Sequence, residues 1–170
     1  MKVFLRVTLV IFSAAVLYRG LFSQVRIAGV AVYILLLVAI AAGIAGGPDR
    51  GAVVGFFSGI AMDLLLPDSP FGLSALTFCI VAYVVGRYES SVTRSARWVV
   101  MLTTGVASAV GMVLYIGLGQ LVNQQNMLQR PFWLVLVVVS VANALLAPLA
   151  VRIMRWALDL NIRNMRVALR

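Results

Sequence analysis

GAVVGFFSGIAMDLLLPDSPFGLSALTFCIVAYVVGR, residues 51–87, is the stretch whose reading decides the fold. It holds two apolar runs, 51–66 and 70–86, with only Pro67, Asp68 and Ser69 between them. Crossing about 30 Å of hydrocarbon takes roughly 20 mostly apolar residues in a helix. Both runs approach that length, so the stretch is expected to be a tight helical hairpin in lipid. Gly51, Gly55 and Gly59 recur every four residues on the same side as Asp63. That is the small-xxx-small pattern that lets two helix backbones approach closely. Two roles are open for this face: packing inside the bundle, or an interface with another membrane protein.

Working outward, four further uncharged or nearly uncharged runs occur at 3–22, 27–47, 98–122 and 131–151, making six expected spans. Arg6 and Arg19 stand near the ends of the first, where long side chains snorkel to the headgroups. No small-residue cleavage pattern follows it, so it is read as a retained helix rather than a signal peptide. Composition agrees: 63% of the chain is apolar, 11% is charged and the mean hydropathy is +1.06. Soluble domains are about 45–50% apolar. The expected fold is an all-α membrane protein, a six-helix transmembrane domain over 1–151 followed by a cytoplasmic basic amphipathic helix over 152–170. Function is expected in the membrane or beside it.

The net charge is +9, from fourteen basic and five acidic residues. These arginines sit at the ends of apolar runs rather than over a solvated face interleaved with aromatics, so they point to the membrane surface and not to nucleic acid. With the N-terminus inside, eleven basic residues are cytoplasmic and three, Arg19, Arg26 and Arg130, are outside. Because positive residues stay inside, both termini are expected in the cytoplasm. In the tail, Arg152, Arg155, Asp159, Arg163, Arg166 and Arg170 follow one another at intervals of 3, 4, 4, 3 and 4. At about 100° per residue they share one narrow helix face, and Trp156, Leu158, Leu160, Ile162, Met165, Val167 and Leu169 occupy the rest. Two readings are open: a helix that lies in the interface and holds anionic lipid, or an ordinary positive-inside tail.

An ionisable residue inside a span is a functional candidate, because burying it unpaired costs a few kcal/mol. Asp63 qualifies. Three roles are open for it: capping the next helix through N–H groups near Phe71 and Gly72, binding a partner, or handling an ion or proton. Asn143, with Ser140 one turn before it and Pro148 after it, suggests an interhelical hydrogen bond and a local kink. The chemistry of an enzyme is missing from the sequence. There is no histidine, the one cysteine is Cys79, and the acids Asp49, Asp68, Glu89 and Asp159 stand apart. Ser-His-Asp and Cys-His schemes, paired-carboxylate metal sites and a phosphate-cradling glycine loop all lack their parts. No metal and no cofactor is expected.

The hairpin resembles the signature of the bacterial rod shape-determining protein MreD family. Its pattern is a glycine-rich helix ending in G-x-x-x-D, a short turn, then P-x-G-x-x-A-L and a helix closing with Y-x-x-G-R. Gly55, Gly59 and Asp63 match the first part; Pro70, Gly72, Ala75 and Leu76 the second; Tyr83, Gly86 and Arg87 the third. The chain departs from the family in its long arginine-rich tail and in lacking a Pro-Asp pair between Arg26 and Gly29. The resemblance implies a non-catalytic scaffold subunit of the cell-elongation machinery in the bacterial inner membrane. Its partners there would be the single-span MreC, the glycosyltransferase RodA, a class B penicillin-binding protein, and MreB in the cytoplasm. It also implies a bundle similar to the substrate-binding subunits of energy-coupling-factor transporters, and hence an alternative, a vitamin-type transporter component. On the first reading the glycine face would pack against a partner's transmembrane helix.

Overall fold

The structure is a computed structural model that describes residues 2–22, 33–65, 71–88, 97–121 and 132–158. Five α-helices are present among them: α1 (Lys2–Leu17), α2 (Ile34–Leu65), α3 (Leu73–Arg87), α4 (Arg97–Leu121) and α5 (Phe132–Ala157). A π-helical turn, Tyr18–Phe22, closes α1. Four of the helices are long and apolar enough to cross a membrane, and α3 is a shorter apolar helix. The described chain is therefore all-helical and consistent with a multi-pass membrane protein.

The expectation of six separate helices is corrected at one point. Pro48, Asp49 and Arg50 were expected to link two spans, yet the helical assignment runs through them and joins both spans in the 32 residues of α2. The element is nevertheless broken at Gly47, whose φ of 83° and ψ of −178° lie in a region open essentially to glycine alone. Pro48 then opens the second limb, where a missing N–H and a fixed φ are tolerated. A Cβ on Gly51 would stand 2.7 Å from the Cα of Gly43. Eight residues along an unbroken helix would separate those positions by about 12 Å. The chain therefore turns back on itself at Gly47, and the limbs 34–46 and 48–65 lie side by side near the break.

The first limb is apolar all round and is the centre of the molecule. Every residue from Leu35 to Ala45 is buried, as expected of a helix with no polar face. By contrast α1 is peripheral: 6% of its spanning window is buried, against 72% for α2. Large apolar side chains such as Phe4, Leu64, Leu102 and Trp133 point outward from the bundle. That outward apolar coat is what lipid requires of a bundle surface.

Contacts between remote segments gather several chain positions at one end. The guanidinium of Arg6 lies 5.0 Å from the centroid of the Trp156 ring, a cation–π distance. A Cβ on Gly46 would reach 2.7 Å from Leu158, and one on Gly86 would reach 2.6 Å from Gly47 and Pro48. The start of α1, the break in α2, the end of α3 and the end of α5 thus meet. Of the basic residues assigned to the cytoplasm by charge alone, Lys2, Arg6, Arg50, Arg87, Arg152 and Arg155 belong to these segments, Arg97 opens α4, and Arg94 lies outside the described residues. The tail beyond Leu158, with Arg163, Arg166 and Arg170, lies outside the described residues.

Candidate functional site: a carboxylate-locked hairpin

Asp63 sits in the last turn of α2 and is 4% exposed. Its carboxylate reaches across to the start of α3. The N–H of Gly72 donates to Oδ2 at 2.8 Å, the N–H of Ser74 to Oδ1 at 3.1 Å, and the N–H of Ala75 to Oδ2 at 3.4 Å. The first N–H groups of a helix have no intrahelical partner. Gly72, the N-cap of α3, has no side chain to supply one and takes a left-handed φ of 99°. Asp63 does so from the neighbouring helix, and its negative charge also meets the positive end of the α3 dipole. Of the three roles open to it, capping near Gly72 is the one its geometry performs.

The glycine face is covered by α3. A Cβ on Gly59 would collide with the Cα of Ala75 and stand 2.5 Å from its N, and one on Gly55 would be 2.6 Å from the carbonyl oxygen of Phe78. At Gly51 the obstacles are the Ala82 carbonyl, at 2.9 Å, and Gly43. Every obstacle named is backbone, which cannot swing aside. The expectation that this face meets a partner's helix is therefore corrected: the groove is filled by the chain's own α3. In lipid, where the hydrophobic effect does not press helices together, such backbone approach is a main source of association.

The candidate residues of the hairpin divide into two sets. Gly51, Gly55, Gly59, Asp63, Gly72, Ala75 and Gly86 hold the hairpin together. Leu76, Tyr83 and Arg87 do not take part; they are exposed on the outside of α3. Pro70 lies outside the described residues. Of the tail arginines within them, Arg152 is exposed and Arg155 half-buried. Sequence reasoning missed Gly43 and Gly47. The signal was present, since Gly43, Gly47, Gly51, Gly55 and Gly59 form one unbroken four-residue series. It was hidden because the series crosses what reads as a loop.

A second polar contact joins α4 and α5. The amide Nδ2 of Asn143 donates to Oγ of Ser108 at 3.0 Å, and both residues are fully buried. This is the interhelical bond expected of Asn143, with Ser108 as the partner. The hydroxyl of Ser140 and the Oδ1 of Asn143 have no hydrogen-bond partner among the described residues. The helix α5 continues unbroken through Pro148. Cys79 is a half-buried free thiol, and no group of three His, Cys, Asp or Glu side chains comes together among the described residues. The chain matches no known family model, no characterised protein and no solved structure.

Proposed function

We propose that this chain is a non-catalytic scaffold subunit of the bacterial cell-elongation machinery, of the MreD type, spanning the inner membrane six times with both termini in the cytoplasm. One observation carries the reading: the motif residues that do not lock the hairpin share a single stripe. Leu76, Tyr83 and Arg87 are spaced by 7 and 4 residues, which at about 100° per residue keeps them within some 40° of one another. All three are exposed. A rigid hairpin thus presents an apolar, an aromatic and a cationic group along the outside of α3, and aromatic residues and arginine are the side chains that most often carry interface energy. The docking face is moved by this from the glycine groove of α2 to the outer side of α3, the helix that fills it. Its partner on this reading is a single-span protein of the MreC kind, with a RodA-type glycosyltransferase, a class B penicillin-binding protein and MreB in the same assembly.

Six crossings are supported by the reversal at Gly47, which counts α2 twice. They are supported too by the meeting of Arg6 with Trp156, since a chain whose first and last helices touch at their terminal ends has crossed an even number of times. The vitamin-transporter alternative, and the likeness to energy-coupling-factor subunits behind it, rests on resemblance alone. A solute site needs convergent polar groups in a concave pocket, and a groove between α3 and α4, among the described residues, is lined mostly by aliphatic side chains. The test is a triple variant, Leu76→Ala, Tyr83→Ala and Arg87→Gln, expressed in a rod-shaped host lacking its own copy. The expected result is normal abundance in the membrane, reduced co-purification of the single-span partner, and rounded cells. Full partner recovery and rod shape with all three changes present would overturn the scaffold face.

A further inference from the structure

Aromatic side chains are sorted by position along the helices of this bundle. All three tryptophans, Trp98, Trp133 and Trp156, and all five tyrosines lie within about two turns of a helix end. Phenylalanine is not confined in this way: Phe12, Phe56 and Phe57 are exposed near the middle of α1 and of the second limb of α2. The two groups differ in having or lacking a polar N–H or O–H. A protein partner gives no reason to separate them along the chain. A bilayer does, because an indole or phenol keeps its polar group among the headgroups and its ring at the edge of the hydrocarbon.

The tryptophans also have the separation that a bilayer requires. Trp133 and Trp156 stand at the two ends of α5 and are 76% and 58% exposed. The 23 residues between them span about 34 Å at 1.5 Å each. Helices α4 and α5 run antiparallel, since Gly105 faces Ala144 and Ser108 bonds to Asn143. Residue numbers across that seam therefore add to about 250, which sets Trp98, 74% exposed, level with Arg152 and about 6 Å along the axis from Trp156. Measured from that level, Trp133 is about 28 Å away. The two estimates bracket the roughly 30 Å of a hydrocarbon core. Between the two levels, residues 99–121 of α4 and 134–151 of α5 carry no charge. At the cytoplasmic level the charges return: Arg152 stands beside Trp98, and the Arg6 guanidinium packs on the Trp156 ring at 5.0 Å. We infer that Trp98 and Trp156 at one membrane surface, and Trp133 at the other, are interfacial anchors that fix the depth of this protein in a bilayer of about 30 Å hydrocarbon thickness. The partner of these side chains is the lipid headgroup region itself. The inference rests on the membrane-spanning reading and is independent of which protein the chain serves.

The experiment is tryptophan fluorescence of the full chain in phosphatidylcholine vesicles whose acyl chains carry bromine either near the headgroup or near the terminal methyl. Three variants each keep one tryptophan, with the other two changed to phenylalanine. In every one the shallow bromines should remove more emission than the deep ones. Phe12→Trp, in a chain whose own tryptophans are all phenylalanine, should show the reverse order. Greater quenching by deep bromines at any of the three native positions would overturn its role as an anchor and leave the spanning reading intact. So would a native tryptophan shielded from bromine and from aqueous iodide alike, because protein would then cover it. Quenching of all three by iodide and by neither bromolipid would overturn the membrane-spanning reading itself. Should a variant fail to fold, the unaltered protein decides: its summed emission must follow the shallow bromines, and its unfolding midpoint must peak in vesicles of about 30 Å hydrocarbon and fall in thinner and thicker ones. A midpoint indifferent to thickness would overturn the proposal.

Discussion

Asp63 accepts hydrogen bonds on both carboxylate oxygens, and this determines how its variants behave. In Asp63→Asn one oxygen becomes an NH₂ group facing a backbone N–H, so one side of the cap is lost and two donors oppose each other. Hydrogen bonds to charged groups contribute about 1.5–3 kcal/mol each, and a buried donor left without an acceptor costs about 1–3 kcal/mol. Asp63→Asn is therefore expected to lower stability by at least about 1 kcal/mol, and Asp63→Ala by more. Unfolding followed by denaturant or heat in detergent measures both; unchanged stability in the alanine variant would remove Asp63 from the cap. Gly47 carries the second prediction at this scale. Its φ of 83° with an extended ψ is inaccessible to alanine without strain of about 1–3 kcal/mol. Gly47→Ala should lower the unfolding midpoint, whereas Gly20→Ala, where a Cβ meets nothing within 4 Å, should not.

At the scale of the element, the second limb of α2 and α3 form one unit, held by backbone approach along its length and by the carboxylate at its end. Overpacking costs about 1–3 kcal/mol even where side chains can shift, and here the obstacles are main-chain atoms. Gly55→Leu and Gly59→Leu are expected to lower the amount of folded protein in the membrane, together with its partner recovery. Full abundance with either leucine would mean that the two helices are not packed in this way. The hairpin was legible in the sequence because its period of four, the short Pro-Asp-Ser break between its apolar runs and its acid within an apolar run are all local features. Which object fills the glycine face was not. Close packing has the same signature whether the neighbouring helix belongs to the same chain or to another.

For the whole molecule, sidedness is the property most open to measurement. With Cys79 replaced by serine, single cysteines at Phe71 and Tyr88, both exposed, report the two ends of α3. Phe71→Cys should react with an impermeant reagent added outside, and Tyr88→Cys only after the membrane is opened. The reverse pattern would invert the bundle, and equal reaction at both would mean that α3 does not cross. The prediction depends on eleven basic residues against three, and it is independent of which partner the protein serves.

The sequence by itself determined that the molecule is helical and apolar enough for a membrane, and it set the expectation of sidedness. Those depend on apolar run lengths and on charge counts, which act residue by residue against the bilayer. It also singled out Asp63 and Asn143, since a polar group in an apolar run must find a partner somewhere. Tertiary structure alone decided who the partners are: the N–H groups at the start of α3 for Asp63, Ser108 for Asn143, and α3 itself for the glycines. It alone placed the chain reversal at Gly47, within a segment that reads as a helix, a short loop and another helix. The physical reason is common to all of these. Propensity and hydropathy are summed along the chain, whereas a hydrogen bond or a backbone contact is satisfied only by atoms that the fold brings within about 3 Å.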